Sequence, residues 1–263
     1  VQNILGFCTF HGSSLDSDSM GSHYTYAAIL AGSLSIPLIA SFLRPLVFSK
    51  NWRAFGASTS LVGAFFIAWD ILFTQWGVWG FNEAKHFSVK LMGLPLEEIL
   101  FFFVVPFCCL FIYENVYVYI VKSRERISTS TMWSLISIGV GLCLIGIAHW
   151  GRLYTASTFL LAGGTLIGIS ATRARWLPAY MAAYLFSNIP FILVNGILTG
   201  SFGLEEVVWY NDAENLGSRL YEVAGLSWTQ INIPIDDFVY SFALLLLNTA
   251  IYMYVKHQPS SVA

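Results

Sequence analysis

Apolar positions along the chain gather into seven runs separated by polar segments: 24–42, 54–76, 95–121, 131–149, 154–172, 176–196 and 233–255. A helix needs about 20 mainly apolar residues to cross a bilayer, and each run is predicted to be one transmembrane helix. Four of the connections are short, whereas 77–94 and 197–232 are long. Two of the runs open alike, with "LPLEEILFF" at 94–102 and "IPIDDFVYS" at 233–241, each placing two acids just behind a proline.

That likeness is part of a longer one. "WDILFTQWGVWGFN" (69–82) precedes the first acid pair, and "VNGILTGSFGLEEVVWYN" (194–211) precedes the second. Asp70 and Thr74 match Asn195 and Thr199, Asn82 matches Asn211, and Pro95, Glu97 and Glu98 match Pro234, Asp236 and Asp237. Tyr113 and Tyr252 each lie 15 residues beyond the second acid of their pair. An ordered set of matches implies an internal repeat. The expected fold is all-α: a polytopic membrane protein of about seven transmembrane helices, in two parallel three-helix repeats joined by a connecting helix. The odd connector gives both repeats the same orientation, related by an axis near the membrane normal. The expected divisions are an extension (1–19), a first repeat (20–127), a connecting helix (128–152) and a second repeat (153–263). Residues 1–19 fit neither a signal peptide nor a span and are expected to be a non-native or mis-called extension.

Composition agrees with the pattern. Hydrophobic residues make up 56% of the chain and charged residues 11%, against about a quarter charged in soluble domains. A net charge of -2 offers nothing to nucleic acid. Of the 13 lysines and arginines, nine fall on one side of the predicted topology: Arg44, Lys50, Arg53, Lys122, Arg124, Arg126, Arg173, Arg175 and Lys256. Lys85, Lys90, Arg152 and Arg219 fall on the other. The positive-inside rule then puts the N-terminus outside a cell membrane and the C-terminus in the cytoplasm. Cys8, Cys108, Cys109 and Cys143 have no metal-binding spacing and read as small apolar residues.

The candidate chemistry lies at one depth. Glu97, Glu98, Asp236 and Asp237 open two inward-running helices, and Asp70, Thr74, Asn195 and Thr199 end the helices before them. Acids in a first helical turn are common, because the helix dipole favours them there. Two such pairs at equivalent positions, facing Asp70 and Asn195, instead suggest function, since ionisable groups at membrane depth default to it. Carboxyls sharing a small apolar site keep one proton between them, setting a donor beside an acceptor. Trp69, Trp76, Trp79, Trp209 and Tyr210 read either as an interfacial belt or as rings flanking a cation. Asn82 and Asn211 read as turn caps. Glu114, well inside its span beside Tyr113, needs a partner. No metal site, dinucleotide fingerprint or diphosphate-binding aspartate motif is expected.

Taken together, "WDILFTQWGVWGFN", "LPLEEILFF", "VNGILTG", "VVWYN" and "IPIDDFVY" closely resemble the membrane-integral lycopene cyclases, over about residues 22–255. That family carries two related modules, either as separate subunits or fused in tandem, and this chain resembles the fused form. The resemblance implies cofactor-free cyclisation of the ψ-ends of lycopene to γ- and then β-carotene, with lycopene and membrane lipid as partners. Glu97, Glu98, Asp236, Asp237 and Asp70 are the implied proton-handling residues. Asn195, Asn82, Asn211, Thr74, Thr199, Trp69, Trp79, Trp209, Tyr210, Tyr113 and Glu114 would bind substrate or tune the acids. A C50 carotenoid substrate, a membrane carrier or binding protein, and a homo-oligomer all stay open at this point. A retinal-binding protein would want a lysine in the last span, which has none before Lys256.

Overall fold

A computed structural model of the protein describes residues 23–43, 48–121, 126–225 and 230–258. The expected extension 1–19, Cys8 and the basic residues Arg44, Lys122 and Arg124 lie outside the described residues. The first repeat comprises α1 (Thr25–Ala40), α2 (Trp52–Gln75) and α3 (Leu96–Asn115), the last continuing through a π-helical turn. α4 (Thr129–Ala148) connects it to the second repeat: α5 (Leu153–Ala171), α6 (Leu177–Leu198) and α8 (Ile235–Lys256), with the short α7 (Leu220–Val223) in the last loop.

Among the described residues, six helices are long and apolar enough to cross a membrane. α1 is the exception to the seven predicted. Its 16 residues rise about 24 Å, less than the roughly 30 Å of a hydrocarbon core. The chain turns at Ser41, whose N–H closes onto Pro37 O and Leu38 O.

The packing follows the repeat. α1 lies against α3 as α5 lies against α8, while α2 packs on α8 and α6 on α3, so each repeat completes its core with the other. α4 packs chiefly along α5. Glycine allows that approach: a Cβ at Gly163 would stand 2.5 Å from Gly139 O, and one at Gly139 would stand 2.9 Å from Gly163 O. Backbone contact through small residues is how helices associate where lipid competes for apolar surface.

The long loops are not irregular. β1 (Trp79–Phe81) pairs antiparallel with β4 (Val208–Tyr210), Gly80 opposite Trp209. β2 (Lys90–Leu91) pairs with β3 (Leu94–Pro95). Three-residue strands are too short to show alternation, so the sequence pattern missed them. The β1–β4 ribbon joins the two repeats across their pseudo-twofold axis. Asn82 N–H donates to Val207 O at 2.8 Å, and Asn211 N–H to Val78 O at 2.9 Å. Tyr26 N–H donates to Lys85 O at 3.1 Å, and Tyr154 N–H to Glu214 O at 2.9 Å. The ribbon and its loops close one end of the helix bundle.

Candidate active site

Pro95 and Pro234 are the N-caps of α3 and α8, with ψ of 145° and 139°. Each acid pair therefore occupies the second and third helical positions. Consecutive helical residues point about 100° apart, and the two acids of each pair diverge accordingly.

The first acid of each pair braces a loop. Glu97 Oε1 accepts the Phe87 N–H at 2.6 Å. Asp236 accepts the Leu216 N–H at 3.0 Å and the Thr155 hydroxyl at 2.5 Å. Both side chains are buried, at 1% and 0% exposure.

The second acid of each pair faces a cavity of about 560 Å³ that lies among α1, α3, α6 and α8. Glu98 accepts a hydrogen bond from the Tyr26 phenol at 2.5 Å. Asp237 accepts three: from the Tyr154 phenol at 2.7 Å, Asn195 Nδ2 at 2.7 Å and the Tyr210 phenol at 3.0 Å. Burial, and next the charge of Asp237, push the Tyr210 phenol well above its ordinary pKa. It therefore stays protonated and stays a donor.

Asp70, 1% exposed, lines the same cavity. Trp79 Nε1 donates to its Oδ1 at 2.5 Å, while its Oδ2 is buried with no hydrogen-bond partner among the described residues. Thr74 Oγ1, at 3.5 Å, is at the outer limit of a hydrogen bond and contributes little. Aromatic rings wall this end: Trp79 lies 5.0 Å from Tyr154 and 6.2 Å from Tyr240, centroid to centroid. Trp69 stands behind Tyr240 and stacks on Phe66 at 5.8 Å.

The remaining predicted site residues lie elsewhere. Thr199 turns back to its own helix, donating to Asn195 O at 2.9 Å. Asn82 and Asn211 cap turns on the ribbon, their Oδ1 atoms accepting from Ala84 and Ala213 N–H groups at 3.0 and 3.1 Å. Trp209, 40% exposed, covers Gly80, where a Cβ would fall 2.3 Å from its ring. Tyr113 and Glu114 sit at the opposite end of the bundle; the 16 residues from Glu98 to Glu114 rise about 24 Å. There Glu114 accepts from the Tyr252 phenol at 2.6 Å and pairs with Lys256. It has the partners its burial demands, in a contact that ties α3 to α8.

The sequence reading missed Tyr26, Tyr154 and Tyr240. Tyr26-Ala27 and Tyr154-Thr155 are repeat equivalents, but one shared aromatic is too short a match to stand out. Tyr240 has Phe101 at its equivalent position, so symmetry gave no hint of a hydroxyl.

The site thus holds three buried carboxyl groups, two phenols of equivalent position and an aromatic wall, at the closed end of an apolar cavity. That arrangement suits proton transfer to and from an apolar molecule. The family described as Lycopene cyclase matches residues 23–116 and 151–255, one segment for each repeat. No curated protein and no solved structure matches the chain. The matched segments cover most of the chain and contain every carboxylate of the cavity, and the protein belongs to the lycopene cyclase family.

Proposed function

We propose that the protein is a lycopene β-cyclase, closing the ψ-ends of lycopene to give γ- and then β-carotene with no net redox change. The observation that carries this reading is the convergence of Glu98 and Asp237, one from each repeat, on a single apolar cavity.

The surroundings of the two acids differ and suggest their roles. Asp237 receives three donated hydrogen bonds, which favour a carboxylate, an acceptor-only group. Glu98 receives one and shares its end of the cavity with Asp70, a neighbour that favours keeping a proton. Glu98 is the acid and Asp237 the base. Glu98 gives its proton to C2 of the terminal C1=C2 bond, leaving a tertiary cation at C1. The C5=C6 electron pair forms the C1–C6 bond and moves the cation to C5. Asp237 takes the C6 proton, whose C–H electron pair becomes the ring double bond. One proton enters and one leaves, so the formula is unchanged, and return of the proton from Asp237 to Glu98 resets the site. Trp79, Tyr154 and Tyr240 line this end of the cavity, where their π-systems attract the cation. No cofactor takes part in these steps.

Glu97 and Asp236 act as positioning residues, through the loops that they hold. The chain divides into repeats at 20–127 and 153–263, joined by 128–152. It resides in the cell membrane, with the carboxylate end outside. Lys50, Arg53, Arg126, Arg173, Arg175 and Lys256 cluster at the opposite end of the helices, which supports a cytoplasmic C-terminus by the positive-inside rule.

The test is pigment analysis of a lycopene-accumulating bacterial host that expresses the chain. Conversion to γ- or β-carotene is expected, and Glu98→Gln or Asp237→Asn should abolish it. Unchanged lycopene with the protein confirmed in the membrane overturns the reading.

A further inference from the structure

The cavity reaches the side of the helix bundle. Ile36 on α1 and Leu193 on α6 both line it, yet they are 77% and 58% exposed. Gly32, one turn before Ile36 on α1, lines the cavity too, and a Cβ there would meet no atom within 4 Å. At the other extreme the cavity ends on carboxylates that are nearly shut off from the surface, Asp70 at 1% and Asp237 at 5% exposure, beneath the β1–β4 ribbon.

Pseudo-symmetry calls for a matching cleft between α5 and α2. That place is packed. Phe102 stands where the open cleft has Ser241, Trp69 where it has Val194, and Leu161 where it has Ser33. Phe66, Phe102, Leu161 and Tyr240 join there in one apolar cluster. Leu160, the counterpart of Gly32, is covered by α4 at Gly146.

We infer that the cleft between α1 and α6 is a lateral portal, through which one end of an acyclic C40 polyene slides from the bilayer to the carboxylates. This rests on the cyclase reading and deepens it. Such a polyene dissolves in lipid and not in water, so a side opening within the membrane suits it and an aqueous mouth does not. The occupant follows from the continuity of the groove with the acids: lined mostly by apolar side chains, it ends on three carboxyls, one with an Oδ2, that of Asp70, buried and without a partner among the described residues. Because the counterpart cleft is packed, the two ends of the polyene are handled in separate binding events.

The experiment uses lycopene-loaded proteoliposomes holding the full chain, reading bound polyene by its induced circular dichroism and turnover by chromatography. Gly32→Phe puts a ring into the portal, Gly32→Leu adds less bulk, and Gly32→Ala tests the backbone. Gly164→Phe adds the same ring on α5, at the counterpart of Ile36, where a Cβ also meets nothing within 4 Å. At Gly32 the expected result is a graded loss of dichroism and turnover, at least tenfold for phenylalanine, with unchanged thermal unfolding. Gly164→Phe should behave as wild type. Wild-type binding and turnover in both Gly32→Leu and Gly32→Phe overturns the portal, as does an equal loss in Gly164→Phe. Wild-type binding without cyclisation overturns the cyclase reading instead, and dichroism of the Gly32 series then decides the portal. Absence of wild-type binding overturns both.

Discussion

Tyr26 and Tyr154 stand at equivalent places in the two repeats, and each donates its phenolic hydrogen to the third residue of a helix: Tyr26 to Glu98 at 2.5 Å, Tyr154 to Asp237 at 2.7 Å. The two bonds are not of equal weight. Tyr154 is one of three donors to Asp237, whereas Tyr26 is the side-chain donor to Glu98 among the described residues. A hydrogen bond to a charged group contributes about 1.5–3 kcal/mol, or roughly ten- to a hundredfold in rate. Tyr26→Phe should slow cyclisation by about that factor, since it removes support from the carboxylate that forms as Glu98 gives up its proton. Tyr154→Phe should cost less than tenfold. Turnover of both variants in membranes, normalised to protein, checks the order.

The divergence of each acid pair gives a second expectation. Glu97→Gln retains a carbonyl oxygen for the Phe87 N–H, and Asp236→Asn keeps one acceptor for Thr155 or Leu216. Their cyclisation rates should fall by less than tenfold while thermal stability drops by a few degrees. Glu98→Gln and Asp237→Asn should reverse the pattern, with chemistry lost by more than about a thousandfold, at the upper end of acid–base contributions, and stability held. Thermal unfolding in detergent, beside turnover, separates the two kinds of residue.

Asp70 invites a substitution suggested by its own repeat. Its counterpart Asn195 donates to Asp237, so Asp70→Asn places a donor amide in the Glu98 half. The amide also replaces a buried oxygen that has no partner among the described residues, a state that costs about 1–3 kcal/mol. The variant should unfold at the same temperature as wild type or higher, yet cyclise at least tenfold more slowly, because both halves then favour a carboxylate. A destabilised variant with full activity would contradict this.

The ribbon rim responds to pH. Lys90 holds the Glu83 carboxyl below its usual range, chiefly by hydrogen bonding, and Lys85 does the same for Glu205 across the two repeats at 2.8 Å. A depressed carboxylate pKa stabilises the fold above the unfolded value of about 4.3 and loses that contribution as pH falls through the folded value. Both acids are exposed, so the effect is small. The difference in melting temperature between wild type and Lys90→Gln should be constant from pH 8 to about pH 5, shrink as pH falls below the unfolded value, and vanish only once pH is under the folded value.

Much of this architecture is legible in residue order. The hydropathy runs locate the helices, and the matched acid pairs disclose the repeat, because two copies of one motif at equal depth are hard to produce by packing alone. Which acid of each pair faces the cavity is not legible. It depends on where each helix begins, and a shift of one residue turns the carboxylate by about 100°. Tyr26 and Tyr154 are hidden for a different reason: a tyrosine near the end of an apolar run reads as an interfacial anchor, and only the fold brings it to an acid some 70 to 80 positions away. Glu114 is the opposite case. A buried acid in a span looks functional, but Tyr252 and Lys256 satisfy it as a tie between helices.

The β1–β4 ribbon pairs equivalent segments, so one repeat could in principle dock with a copy of itself. Such a pairing would set Glu98 against Glu98, or Asp237 against Asp237, and neither has both a proton to give and a place to return it. α4 removes that competition. Packed along α5, it tethers the first repeat to an unlike partner and makes their meeting intramolecular, at an effective concentration on the order of millimolar for a short linker. The choice of partner therefore need not be written into the interface. It is enforced by covalent connection, which leaves the contact residues free to diverge into one open cleft and one filled one.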